Sequence, residues 1–119
     1  MKIFALSLLL PILIIALVVA NSIYVNRTIN TLTELARTLK QDRTAVSAEK
    51  LLLYWESHRA FIALSVSLRE IDSTTENIIC FKSACANNND WLIEQSYSLL
   101  CNSLDDIRRY EKISLLNIL

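Results

Sequence analysis

The sequence predicts an all-α protein: an N-terminal transmembrane helix followed by a small antiparallel three- or four-helix bundle. Three observations carry this. Glycine is absent and Pro11 is the only proline, so the two main helix breakers are missing from nearly the whole chain. An apolar segment with no charged residue runs from Ile3 past Ala20. Downstream, apolar residues recur at alternating steps of three and four, the period of one helix face, and no useful length alternates with period two.

Composition narrows function by exclusion. The chain has 119 residues, room for one domain. Twelve basic residues balance twelve acidic ones, so no single-sign field points to nucleic acid. Apolar residues make up 53%, above the usual range of about 45–50%. Without glycine there is no P-loop, no dinucleotide-binding turn and no G-x-S-x-G elbow.

Residues 1–26 read as a transmembrane signal-anchor. As a helix, residues 3–25 reach about 34 Å, enough for a hydrocarbon core of about 30 Å. Pro11 is tolerable in such a helix, and Tyr24 falls where an interfacial aromatic belt would put it. The rival is a cleaved signal peptide, with Lys2 as its basic start and Val18-Val19-Ala20 as its cleavage site. The apolar run exceeds the usual signal-peptide core of about 7–15 residues, which favours the anchor. For sidedness, Arg27, Arg37, Lys40 and Arg43 come after the span and by strict count would hold the C-terminal part inside. A basic, signal-like start normally exports the downstream chain. The expectation is therefore a single-pass protein of the cell membrane with residues 27–119 as an extracytoplasmic helical domain.

Within that domain, Val25, Ile29, Leu32, Ala36 and Leu39 form a 4-3-4-3 seam on a helix continuing out of the span. Asp42 is the expected N-cap of the second helix. That stretch starts with Leu51, Leu52, Tyr54 and Trp55, and Phe61, Leu64, Leu68, Ile71, Thr75 and Ile78 prolong it without a change of phase. One long or slightly kinked helix is expected, although Ser73-Thr74-Thr75-Glu76 has the form of a capping box and allows a break near Asp72. The stretch Ala84-Cys85-Ala86-Asn87-Asn88-Asn89-Asp90 is the clearest turn, its asparagine run suited to end one helix, and Asp90 is the expected cap of the last helix. That helix carries Ile93, Tyr97, Leu100, Leu104 and Ile107. Asp105 and Asp106 precede Arg108 and Arg109 by three, giving surface pairs worth about 0.2–0.5 kcal/mol each.

Few residues suggest chemistry. Cys80, Cys85 and Cys101 read most simply as buried free thiols. A disulfide from Cys80 or Cys85 to Cys101 across the asparagine turn is the alternative; Cys80 and Cys85 sit about 140° apart on a helix and cannot pair with each other. A zinc site would need four ligands, with His58 the only histidine to complete it. His58 has no evident acid or nucleophile partner, which favours packing over catalysis. Glu70 and Asp72 fall on different helix faces and make no acid/base pair. Trp55 and Trp91 are expected as core anchors, with a partner hot spot as the other reading. No catalytic residue, metal or cofactor is expected. The closing stretch EKISLLNIL, residues 111–119, is apolar where chain ends are usually polar. Glu111 takes the seam position after Ile107, so Ile113, Leu116 and Ile118 are expected to leave the stripe and fold back over an open end of the bundle. Insertion at the membrane surface or contact with a partner are the alternatives.

The membrane start, the Asp42-initiated helix leading to Trp55, Glu70-Ile71-Asp72, Asn89-Asp90 and the ending Asn117-Ile118-Leu119 together resemble the domain of unknown function 4363 family, small single-pass proteins of clostridial and related bacteria. The resemblance covers nearly the whole chain. One departure is Leu68, where the family pattern carries a histidine two residues before the glutamate. The resemblance implies a membrane-anchored helical domain and supplies no reaction.

The leading functional expectation is a non-enzymatic accessory or protein-interaction module at the outer membrane face. The alternative is a small-ligand-sensing bundle with its pocket near Trp55, Tyr54 and His58. Trp55, His58, Trp91, Ile113, Leu116 and Ile118 are the candidate partner or ligand surface.

Overall fold

A computed structural model describes residues 2–118. It contains four helices and, among the described residues, no strand: α1 (Lys2–Asp42), α2 (Ala45–Ile62), α3 (Leu68–Ala86) and α4 (Asp90–Ile118). Each helix packs on the next and α4 closes back on α1, an up-and-down antiparallel bundle. The molecule is a rod of 67 × 23 × 18 Å, because α1 extends far beyond the bundle.

Helix α1 divides by burial, without a break. Its first half, long and apolar enough to cross a membrane, exposes Ile3, Phe4, Leu6 and further apolar residues as far as Val19. From Val25 onward the seam Val25, Ile29, Leu32, Ala36 and Leu39 is fully covered by the other helices. The last-helix seam is equally faithful: Ile93, Leu100, Leu104 and Ile107 are buried, and Tyr97 packs against them. Trp55 lies at the centre with no exposed surface, its indole N–H donating to Thr75 Oγ1 at 2.8 Å.

The middle of the chain departs from the sequence expectation. The predicted long helix is two helices, parted by residues 63–67 rather than near Asp72. Ser67 is extended (ψ 149°), and its hydroxyl accepts from the Glu70 amide. Ser67-Leu68-Arg69-Glu70 is thus the capping sequence in use, and Ser73–Glu76 lies inside α3. A turn of this length carries the apolar rhythm across the break, which is why periodicity did not register it. The consequence is a change of face: Phe61, Leu64 and Leu68 are exposed, Leu64 at 80%, while Ile62 and Val66 take the buried places.

Two further caps differ from expectation. Thr44, not Asp42, caps α2, its hydroxyl accepting from the Ser47 amide. Asp42 instead ends α1 and accepts from the Ser47 hydroxyl at 2.6 Å and the Thr44 amide at 3.1 Å. Asn89, not Asp90, caps α4, with Oδ1 accepting from the Leu92 amide at 3.2 Å.

Both distal turns need a left-handed residue that a glycine-free chain must supply otherwise. Arg43 (φ 54°) donates its amide to Leu39 O, the single bond of an αL cap. Asn88 (φ 54°) completes a Schellman arrangement, with Asn88 N–H to Cys85 O and Asn89 N–H to Ala84 O. The expected turn-forming role of the asparagine run holds. The expected fold-back of the tail does not: α4 continues as helix through Ile118, with Ile113 and Leu116 pointing outward, 59% and 65% exposed. The side chain of Ile118 lies outside the described residues.

Trp55→Ala should cost about 3–5 kcal/mol of stability, whereas Leu64→Ala should stay within about 0.5 kcal/mol of the parent, both read by denaturant melts of the full chain in detergent. Ser47 and then Thr44 hold the Asp42 carboxyl below its ordinary value. A depressed carboxylate adds stability above its unfolded pKa and loses it as pH falls through the folded one, so the loss lies below about pH 4. Asp42→Asn should lower the neutral-pH denaturation midpoint and flatten that acid limb.

Candidate functional site

His58 occupies the turn of α2 between Trp55 and Ile62 and is half-buried. Its ring stacks on Tyr54 with centroids 4.1 Å apart and lies 6.0 Å from Tyr24 of α1. Nδ1 sits 2.8 Å from the Tyr54 carbonyl, a contact that fits an Nδ1–H donor. This is the packing arrangement expected of it, with aromatic rings rather than an acid or nucleophile beside it. The clefts between α3 and α4 and between α1 and α4 are lined by residues other than Trp55, Tyr54 and His58. Trp55 is sealed in the core and offers no surface to a partner.

All three cysteines are free thiols, and no disulfide joins the α3 thiols to Cys101. Cys85 is buried, and that burial pushes its thiol above the ordinary range. Cys80 is exposed, contrary to the buried reading, and Cys101 is half-buried beside Tyr97. Burial and the Cys101 thiol raise the Tyr97 hydroxyl. Lys40 Nζ stands 4.5 Å over the Tyr97 ring, and Phe81 packs on it at 5.6 Å. Among the described residues no three of His, Cys, Asp or Glu converge on one point.

Trp91 is not a core anchor. It is 69% exposed, because it precedes Ile93 by two residues and therefore points away from the seam. It precedes Leu92, which with Ile79, Cys80, Ala84 and Leu99 lines an apolar groove of about 430 Å³ between α3 and α4. Ile79, Leu92 and Leu99 are all solvent-exposed. A second cleft, of about 390 Å³ between α1 and α4, is polar and carries both charge signs, with Glu34, Arg37, Asp105 and Arg108. These charges are largely paired with one another, Arg37 to Glu34 at 2.6 Å and Arg108 to Asp105 at 3.7 Å.

One buried acid escaped the sequence reading as a site, although its place in the seam was visible. Glu111 is buried between α4 and α1, one helical turn after Ile107. Its Oε1 accepts from Asn21 Nδ2 at 3.5 Å, and Oε2 has no hydrogen-bond partner among the described residues. A buried carboxylate so thinly bonded costs more than an apolar residue of its size. Glu111→Leu should therefore raise stability by about 1 kcal/mol in denaturant melts; a loss of that size would mean the carboxylate is held by more than Asn21.

Compared with family models, with curated proteins and with solved structures, the chain finds no match in any of the three, so its resemblance to the domain of unknown function 4363 family rests on its short sequence motifs alone.

Proposed function

We propose that this chain is a non-enzymatic membrane-anchored protein whose four-helix domain stands at the outer face of the cell membrane and binds another protein through the α3–α4 groove. The observation that carries the reading is the groove itself. Three large apolar side chains, Ile79, Leu92 and Leu99, are exposed on the walls of a concavity of about 430 Å³, and exposed Trp91 adjoins Leu92 in the chain. Contiguous exposed apolar surface of this kind marks interaction sites, and tryptophan is among the residues enriched at hot spots. A groove between two antiparallel helices suits the apolar face of a partner helix.

Anchoring is supported by the length and exposure of the apolar half of α1, and outward orientation by the basic, signal-like start at Lys2. Membership of the domain of unknown function 4363 family belongs to the same proposal. A ligand-sensing role would need a concavity beside His58.

Cys80 is exposed and lines the groove, so it can report both sidedness and contact. A membrane-impermeant thiol cross-linker added to intact cells should react there and yield one discrete adduct. Trp91→Ala should weaken that partner's binding by about tenfold, the equivalent of about 1.4 kcal/mol. Reaction only after lysis would overturn the orientation; a diffuse smear unchanged by Trp91→Ala would overturn the binding role.

A further inference from the structure

We propose that the base of the bundle is a second membrane-contacting surface, in which Phe61, Leu64 and Leu68 of the α2–α3 turn, with Ile113 and Leu116 of α4, seat in the headgroup–acyl boundary. The bilayer they touch is the one α1 crosses, so the inference rests on reading α1 as a span. It is independent of the groove and of which side the domain occupies.

Position comes first. Helix α1 is unbroken between its apolar half and the bundle, so the level of the membrane can be traced along it. Tyr24, just past the apolar stretch, has its ring 6.0 Å from Phe61, which puts the α2–α3 turn at the base of the bundle. Helix α4 runs antiparallel to α1, with Lys40 paired to Glu94 at one end and Asn21 bonded to Glu111 at the other. The part of α4 from Glu111 to Ile118 therefore descends beside the apolar half of α1, and half-buried Val18 lies at that level.

Chemistry comes second, because the two ends of the bundle differ in kind. The distal end is laced with charge: Lys40–Glu94 at 2.9 Å and Arg43–Asp90 at 2.7 Å. The base instead exposes five large apolar side chains, on two separate segments, at 59% or more each. Leu64 projects from a turn, where an exposed leucine gains nothing from water. Apolar residues at the end of a bundle, with exposed Arg69 and Lys112 able to reach headgroups, match an interfacial contact. A tethered surface needs little intrinsic affinity, since the anchor holds it at high local concentration.

The full chain with Cys80→Ser and Cys101→Ser leaves only the buried Cys85 thiol. Into it go, one at a time, Leu64→Cys, Leu116→Cys and, as a distal reference, Val46→Cys. Each is labelled with an environment-sensitive fluorophore, checked for helical content, and reconstituted in phosphatidylcholine vesicles carrying headgroup-level nitroxide lipids. Positions 64 and 116 should emit to the blue and be quenched by the nitroxides several-fold more than position 46, with iodide quenching reversed. Chains that float with the vesicles while 64 and 116 behave like 46 overturn the seat and leave the span intact. Chains that do not float overturn the span and the seat together. Shielding from iodide without nitroxide quenching means that a second copy covers the base, which also overturns it.

Discussion

The rest of this structure depends on the continuity of α1. One helix emerges from an apolar half that is almost wholly exposed and becomes a strut whose buried stripe organises three others. Val25, Ile29, Leu32, Ala36 and Leu39 are each at most 1% exposed. Burying an aliphatic side chain is worth about 1.5–3 kcal/mol relative to exposure. Much of that is offset by the entropy of ordering the chain. A domain of this size is therefore marginal, and its helices gain by sharing one continuous strut. The same continuity fixes which end of the bundle lies toward the apolar half of α1 and which lies away from it.

Where the chain must turn, it does so without glycine. Serine and threonine hydroxyls at Ser67 and Thr44 cap α3 and α2, and Asn89 does the same for α4. Left-handed backbone falls on Arg43 and Asn88, at a cost of about 1–2 kcal/mol for a residue with a Cβ, less for asparagine. Arg43 recovers part of this through Asp90 and through Asn88 Oδ1 at 2.5 Å, so the two strained residues brace each other across the distal end.

This explains which parts of the fold could be read from sequence. The first and last seams were legible because each lies in one uninterrupted helix, where a step of three or four residues has one meaning. The middle was not. Counting apolar residues through Phe61, Leu64 and Leu68 finds a helix period, and the turn at 63–67 happens to preserve it. Ser67 and Glu70 carried the decisive signal, yet an equally good capping sequence at Ser73–Glu76 competed with it. Trp91 was legible in principle: two residues before Ile93 is about 200° around the helix, so a buried Ile93 forces Trp91 outward. Leu116 obeys the same geometry, about 180° from Ile107. The fold-back expectation came from ending the helix at the carboxylate instead of letting its face rotate.

Glu111 then becomes intelligible as the point where two requirements meet. Below it, α4 lies beside an apolar helix; above it, the seam is Leu100, Leu104 and Ile107. A purely aliphatic seam is nearly indifferent to a slide of one turn along α1, because apolar contacts carry no direction. Polar pairs are not indifferent. Arg43 with Asp90 and Lys40 with Glu94 fix the distal register, but both are partly solvated and individually weak. Asn21 with Glu111 is the corresponding contact at the base, beside a cleft that Ser22, Asn26, Arg108 and Lys112 also line. A one-turn slide toward Leu17 and Val18 would leave the carboxylate against aliphatic side chains of α1, a cost larger than any one surface pair supplies. The thinly bonded acid that weakens the α1–α4 seam is thus also the group that makes one register of that seam preferable to the next, as a single polar residue does in a coiled-coil core.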